Sequence, residues 1–275
     1  MMEGIHIVNP KRLKEKLSKF KSNNFHIVAD FDSTLTQGIV NGKKLHSCYA
    51  YIREGRYISP KYQEKAFDYF KKYYPIESSP LFSLEEKTKK MEEWWTKHYN
   101  LMVEMGFDKK IINEIIPKIR LRKKSAEFFE LLDKNNIPLL ILSAGIGNFI
   151  EEILKLNNKL TKNIHIISNF LVFDKEDKAV SYTRPLIHTF NKNEVEVKKF
   201  PYQKEIIDKK NVILLGDMLG DLNMCSGIDH DNIIKIGFLN HDVEKLFDEF
   251  SKGFDVIILN DGSMDQVNKM LKEIL

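Results

Sequence analysis

Val28-Ala29-Asp30-Phe31-Asp32-Ser33-Thr34 decides how this chain is read. The apolar run entering it from His26 reads as a buried strand, and two carboxylates stand at its carboxyl end. The Asp-x-Asp pair alone carries little weight. With 17 Asp in 275 residues, chance supplies about one such pair. Asp, Ser and Thr also favour turns and helix caps, which is the ordinary explanation of such a segment. Two further apolar runs change the weighing, because each also ends in polar residues: Leu140-Ile141-Leu142-Ser143-Ala144-Gly145 and Leu214-Leu215-Gly216-Asp217-Met218-Leu219-Gly220-Asp221. In open α/β sheets, ligands bind beyond the carboxyl ends of the strands.

Working outward, Lys11–Lys21 reads as an amphipathic helix with Leu13, Leu17 and Phe20 on one face. Beyond Ser125 strands and helices alternate. Strands are expected at Pro138–Ser143, Ile164–Ser168, Val212–Asp217, Ile233–Phe238 and Val256–Leu259, with helices at Ser125–Asn135, Gly147–Asn157 and His241–Lys252. Solid apolar strands alternating with helices indicate a doubly wound, mostly parallel sheet covered on both faces. From Pro60 to Arg122 the pattern is helical, aromatic and rich in Lys and Glu. The expected architecture is therefore an α/β core, residues 1–44 plus 123–275, with a helical cap inserted at 45–122.

Composition removes several classes. The aromatic and aliphatic content, 18 Phe and 10 Tyr included, is too high for a disordered chain. Cys48 and Cys225 are two distant thiols, not a disulfide scaffold. The longest apolar runs fall well short of the ~20 residues a membrane span needs. Met1-Met2-Glu3-Gly4 begins no secretory leader, so a cytoplasmic protein with no membrane partner is expected, and a monomer. Of 43 cations only six are Arg, and the Lys residues are interleaved with 39 acids. That is the surface of a solvated protein rather than a nucleic-acid footprint, so no nucleic-acid partner is expected.

The chemistry follows from the strand ends. One carboxylate can attack phosphorus and split hydrolysis into two steps. A second, two residues on, can protonate the leaving oxygen and then activate water. Asp217 and Asp221 are hard oxygen ligands suited to Mg²⁺. Ser143 and the amides that follow can hold phosphate oxygens at a helix start. A Lys is also required against the phosphate charge, and Lys192 in Thr189-Phe190-Asn191-Lys192-Asn193 is the candidate. A flat ligand in the cap would be held by aromatic faces, with Tyr49, Trp94, Trp95 and Tyr99 as candidates; the ordinary alternative for each is a core aromatic. The eight His form no metal-ligand pattern, and His188 reads as a capping or orienting residue.

Asp30 to Thr34, Ser143 and the Gly216-Asp217…Asp221 run resemble the haloacid dehalogenase-like phosphatases. Longer runs are similar to the cytosolic pyrimidine 5′-nucleotidase family (cytosolic 5′-nucleotidase III and its 7-methylguanosine-phosphate relatives). They are Leu142–Gly147, Ser168-Asn169-Phe170, Leu186–Lys192, Asn211–Asp217, Ile234–Asn240 and, in the cap, Tyr73–Glu77 and Glu93-Trp94. The similarity runs from about Val8 to the end.

The resemblance implies a haloacid dehalogenase-like Rossmannoid core with Asp30 as nucleophile and Asp32 as acid and base. It implies Mg²⁺ at Asp30, Asp217 and the Asp32 backbone carbonyl, supported by Asp221, and phosphate contacts from Ser143, Ala144 and Lys192. It matches Glu77 to an acid that hydrogen-bonds the nucleobase and His98 to a polar residue contacting the base. Ser33 stands where relatives carry a bulkier apolar residue, Met218 replaces a small polar one, and Leu45-His46-Ser47-Cys48-Tyr49 diverges from the stretch that helps frame the base. The implied activity is hydrolysis of nucleoside 5′-monophosphates such as UMP and CMP through an aspartyl phosphate, with phosphotransfer to a nucleoside as a side reaction. The rivals are a preference for 7-methylguanosine monophosphate, another small-metabolite phosphatase, and a non-catalytic binding module. The complete set Asp30, Asp32, Ser143, Lys192 and Asp217 argues against the last.

Overall fold

The computed structural model describes residues 4–40, 42–45, 47–79, 81–192, 202–206, 208–226 and 229–275. The order of elements is β1 (Ile5–Ile7), α1 (Pro10–Leu17), β2 (Phe25–Ala29), β3 (Ile39–Val40), β4 (Lys43–Lys44), α2 (Cys48–Glu54), α3 (Pro60–Ser78), α4 (Leu84–Glu104) and α5 (Lys110–Ile115). There follow α6 (Ser125–Lys134), β5 (Leu139–Ile146), α7 (Gly147–Leu156), β6 (Ile164–Asn169), β7 (Leu171–Phe173), β8 (Ala179–Tyr182) and α8 (Tyr202–Ile206). The chain closes with β9 (Asn211–Gly216), β10 (Asn232–Leu239), α9 (Val243–Gly253), β11 (Val256–Leu259) and α10 (Asp265–Ile274).

One seven-stranded sheet runs β1-β11-β10-β9-β2-β5-β6. All its pairings are parallel except β1 on β11, so the expected doubly wound core is present with one antiparallel edge. Its central strands are buried on both faces, and alternate residues separate into two layers. Ile27, Ile141, Leu215 and Ile258 face one way, onto Phe128 and Leu132 of α6, Ile150 and Ile153 of α7, and Val267 and Leu271 of α10. Val28, Leu140, Leu214 and Ile257 face the other way, onto Tyr202 and Ile206 of α8 and Phe250 of α9. Leu13 and Phe20 are buried and Leu17 packs beside them, as the amphipathic spacing requires.

Between β2 and α6 lies the helical insertion. Tyr73, Met91 and Trp94, on α3 and α4, form a small cluster of their own. Further along, Tyr99, Leu101 and Met102 join Phe107, Ile111 and Ile115 in the main core, so apolar packing is continuous from the insertion into the sheet. Ser83 caps α4 in a reciprocal pair with Glu86: Ser83 Oγ accepts from the Glu86 N–H at 3.2 Å while Glu86 accepts from the Ser83 N–H at 2.8 Å.

The first strand ends earlier than its apolar run does. Past Ala29 the Phe31 carbonyl accepts from the N–H groups of Leu35 and Thr36 at 3.0 and 3.1 Å, a turn that takes the chain off the ladder. Two hairpins, β3–β4 and β7–β8, add small sheets. Among the described residues, no helix is long and apolar enough to cross a membrane, and Cys48 and Cys225 are both buried and not joined in a disulfide.

Candidate active site

Asp30 leaves β2 with its N–H on the Leu215 carbonyl at 3.0 Å, which locks the start of the turn to β9. Ser33 has a φ of 60°, a left-handed conformation that costs a non-glycine residue about 1–2 kcal/mol. Arg122 offsets that cost. Fully buried, it donates Nε to the Thr34 carbonyl at 2.6 Å and a terminal nitrogen to the Ser33 carbonyl. Asn240 Nδ2 reaches the same Ser33 carbonyl at 2.8 Å, and Asp261 balances the guanidinium at 3.1 Å.

The turn after β9 closes on Asp221. Its Oδ2 accepts from the N–H groups of Asp217 and Met218, both at 3.0 Å, and its Oδ1 accepts from Lys192 Nζ at 2.8 Å. Gly216 is required here, because a Cβ would stand 2.5 Å from Asp221 Cβ. Lys192 Nζ also donates to Asp30 Oδ1, so one buried ammonium spans two carboxylates from different strands.

These side chains crowd negative charge into little space. Oxygens of Asp30, Asp217 and Asp221 all lie within 4.8 Å of one another. Burial, with Asp30 and Asp221 close by, pushes Asp217 far above the usual carboxylate range. Burial also lifts Asp30, against the opposing pull of Lys192. Asp32 is pushed up to about 7, chiefly by burial and then by Asp30. Burial disfavours the Lys192 charge, yet Asp221 and Asp30 hold it above the ordinary lysine value. Three converging carboxylates carry more negative charge than one lysine offsets. This all-oxygen donor set fits a hard dication.

A register shift between Leu142 and Ile146 frees the end of β5 from its ladder. Ser143 Oγ accepts from the Gly145 N–H at 3.0 Å. A Cβ on Gly145 would lie 3.0 Å from Ser143 Oγ, 3.4 Å from Asp32 Oδ2 and 3.7 Å from Cys48 Sγ, so those three side chains surround one glycine. Asp30, Asp32, Ser143, Lys192, Asp217 and Asp221, read from separate stretches of sequence, thus gather at the carboxyl edge of the sheet.

The insertion closes over this edge. The Ala144 carbonyl accepts from Tyr49 Oη and Trp95 Nε1, both at 3.2 Å, and from Asn169 Nδ2 at 3.1 Å. Tyr49 and Trp95 are half-buried, with ring centres 5.4 Å apart in an edge arrangement. His98 sits one layer further back, buried, with Nε2 3.1 Å from the Tyr62 hydroxyl and its ring edge-on to Tyr49. Burial, reinforced by Arg53, lowers its pKa to about 4. Glu77 is half-buried, with Oε1 accepting from Thr189 Oγ1 at 2.6 Å. Trp94 stacks on Tyr73, 5.8 Å between centres, inside the helical cluster, and His188 accepts at Nδ1 from the Phe190 N–H at 3.2 Å. His46 and Asn193 lie outside the described residues.

Three residues the sequence reading gave no role hold the site together. Arg122 is one of six arginines in a Lys-dominated chain, and that scarcity was the available signal. Asn169 ties the β5 end to the following segment through the Ala144 and Ile187 carbonyls. Asn240 closes the run Ile234–Asn240, to which the resemblance assigns no role.

A mostly parallel open sheet with acidic residues at the ends of β2 and β9, a serine at the end of β5 and a helical insertion after β2 is the architecture of haloacid dehalogenase-like hydrolases. A hydrolase of that family from Salmonella enterica serovar Typhi superposes with a TM-score of 0.59 at 14% identity, over 97% of this chain and 82% of the other. The particular family is narrower: a model described as pyrimidine 5′-nucleotidase (UMPH-1) matches residues 33–275, and the chain belongs to that family, whose members are phosphoric monoester hydrolases. The 7-methylguanosine phosphate-specific 5′-nucleotidase B of Xenopus laevis is 37% identical over 98% of this chain and 95% of its own length. The crystal structure of cytosolic 5′-nucleotidase IIIB bound to cytidine superposes with a TM-score of 0.88 at 29% identity, covering 100% of this chain and 94% of that one.

Proposed function

We propose that this chain hydrolyses pyrimidine nucleoside 5′-monophosphates such as CMP and UMP to the nucleoside and phosphate. The observation that carries the reading is the Lys192 ammonium spanning Asp30 and Asp221 beside Asp32 and Ser143, in a chain of a 5′-nucleotidase family. Residues 1–44 and 123–275 would form the catalytic core, with 45–122 as the cap that chooses the substrate.

Asp30 attacks phosphorus, and the bond to the nucleoside 5′-oxygen breaks. Asp32 delivers its proton to that oxygen. Burial and Asp30 leave Asp32 with a pKa near 7, so an appreciable fraction is protonated at neutral pH. Asp32, now ionised, takes a proton from water as the water oxygen attacks the phosphorus of the aspartyl phosphate. Phosphate leaves and Asp30 is regenerated; a nucleoside entering in place of water would accept the phosphoryl group instead. Lys192 and Ser143 hold phosphate oxygens throughout, with the amides at Ala144 and Gly145 close by. Mg²⁺, held by Asp30, Asp217, Asp221 and the Asp32 backbone carbonyl, would supply positive charge against the phosphate. Tyr49, Trp95 and Glu77 would frame the base, with His98 acting from behind Tyr49.

A second reading is favoured by the name of the Xenopus laevis relative, 7-methylguanosine phosphate-specific. A cationic 7-methylguanine would gain from aromatic faces and from the Glu77 carboxylate. Phosphate release from a panel of CMP, UMP, 7-methyl-GMP, phosphoserine and ribose 5-phosphate, with and without Mg²⁺, decides between them. Fastest turnover of CMP or UMP supports the first reading and fastest turnover of 7-methyl-GMP the second. Activity confined to the last two compounds contradicts both.

A further inference from the structure

The turn that carries Lys192 touches the cap at two points before it reaches the carboxylates. Thr189 Oγ1 donates to Glu77 Oε1 at 2.6 Å. Phe190 packs against the Tyr73, Met91 and Trp94 cluster, and Lys87 Nζ lies 5.5 Å from the centre of its ring. The turn is braced internally: the His188 N–H donates to Asn191 Oδ1 at 2.7 Å, and Asn191 Nδ2 donates to the Leu186 carbonyl at 2.8 Å. On its other side, a Cβ at Gly220 would meet the Thr189 methyl group at 3.4 Å, so Thr189 is wedged between the Asp217–Asp221 turn and the cap.

Glu77 is the next-to-last residue of α3 and half-buried. A carboxylate there has several rotamers, and accepting from a base N–H requires one of them. Burial also favours its neutral form, which cannot accept in the same way; Thr189 and Lys87 pull against that tendency. A hydroxyl fixed on a rigid turn supplies both the orientation and the bias towards charge.

We infer that Thr189 is a positioning residue for base recognition: its hydroxyl holds the Glu77 carboxylate towards the nucleobase and ties the base-reading part of the cap to the turn that presents Lys192. The inference rests on the assignment of Glu77 to the base. Binding a substrate with a base and placing the phosphate-binding lysine are then linked through two adjacent residues, Thr189 and Phe190, which lie three and two positions before Lys192.

The test uses Thr189→Val, which keeps the shape and removes the hydroxyl, with Thr189→Ser as the conservative rescue and Glu77→Gln as the reference. KM and kcat are measured with Mg²⁺ for CMP, for 7-methyl-GMP and for p-nitrophenyl phosphate, which has no nucleobase. Thr189→Val is expected to raise KM about tenfold for the preferred nucleotide, the scale of one hydrogen bond to a charged group. It should change kcat/KM for p-nitrophenyl phosphate less than about twofold, and Thr189→Ser should return the nucleotide KM to near the parent value. If Glu77→Gln raises the nucleotide KM and Thr189→Val does not, the inference is overturned while the site assignment stands. If Glu77→Gln has no effect, the assignment of Glu77 fails and takes the inference with it. An equal loss on both substrate types in Thr189→Val also overturns it, because Thr189 would then act on the lysine rather than on the base.

Discussion

Arg122 donates Nε to the Thr34 carbonyl at 2.6 Å, fixing from beneath the turn that carries Asp30 and Asp32. The Arg122 N–H bonds the Leu35 carbonyl at 2.8 Å, and the Gln37 N–H bonds the Arg120 carbonyl at 2.9 Å, so the strands of chain entering and leaving the insertion are stitched together at that point. The turn that carries Asp30 and Asp32 and the root of the helical insertion are one hydrogen-bonded unit.

Arg122→Met should therefore destabilise the fold by about 3–5 kcal/mol, because it strands the buried Asp261 carboxylate and leaves the Ser33 turn unsupported. The double variant Arg122→Met, Asp261→Asn should lose less than the single one. Urea unfolding of both proteins checks this; additive losses would contradict it.

Lys192→Met leaves Asp30 and Asp221 without the ammonium that joins them. Loss of one preorganised charge aimed at the transferring group costs about 10²–10³ in kcat. Steady-state kinetics should show a fall of that size, with far-UV circular dichroism unchanged. A drop smaller than about tenfold would remove Lys192 from the phosphate site.

Two sets of buried groups pull stability in opposite directions below neutral pH: Asp30, Asp32 and Asp217, held above the usual carboxylate range, gain as they protonate, whereas two buried histidines lose. His98 and His188 are both held neutral by burial, each with a pKa of about 4, against ~6.5 in an unfolded chain. Their folded values are depressed, so the unfolded state binds the extra protons between these limits. The stability they contribute is complete above pH 6.5 and is lost as pH falls towards 4, by up to roughly 3 kcal/mol per histidine. Arg53, Tyr62 and Tyr49 are the charged and titratable groups that face His98. The difference between His98→Gln and the parent isolates this contribution: between pH 7 and pH 4.5 the relative stability should move in the variant's favour by roughly 2 kcal/mol, read from unfolding at each pH, and no change in that difference would contradict it.

Carboxylates within 4.8 Å of one another repel until a cation joins them. Mg²⁺ should raise the unfolding temperature of the substrate-free protein, by an amount equivalent to about 2.7 kcal/mol at a hundred times the dissociation constant. EDTA should reverse the gain and abolish turnover. Asp217→Asn should unfold at a higher temperature than the parent without metal, and should gain nothing from Mg²⁺. A metal-dependent gain that survives in this variant would place the cation elsewhere.

Much of this was legible in the chain itself. Strands such as Val212–Leu215 are unbroken apolar runs, and the carboxylates at their ends stand out because charge there has few structural uses. Less visible were contacts made between distant segments. Nothing local marks Arg122 as the support of a turn 88 residues away, since its role depends on the return path of the insertion. The edge strand β1 is three residues long and mostly exposed, so it lacks the periodicity that revealed the others. Tyr49, Trp94, Trp95 and Tyr99 are equal candidates in sequence, and nothing there marks the Ala144 carbonyl as the acceptor that Tyr49 and Trp95 share. The resemblance matches His98 to a polar residue contacting the base, and it lies buried between two tyrosines.

The most direct test is phosphate release from CMP and 7-methyl-GMP, with Mg²⁺, by the parent protein and by Asp30→Asn. An amide at position 30 cannot form the acyl phosphate, so the account predicts a loss of about 10³-fold or more on whichever nucleotide the parent prefers. Turnover by Asp30→Asn within about tenfold of the parent would contradict Asp30 as the nucleophile, and with it the mechanism drawn from this site.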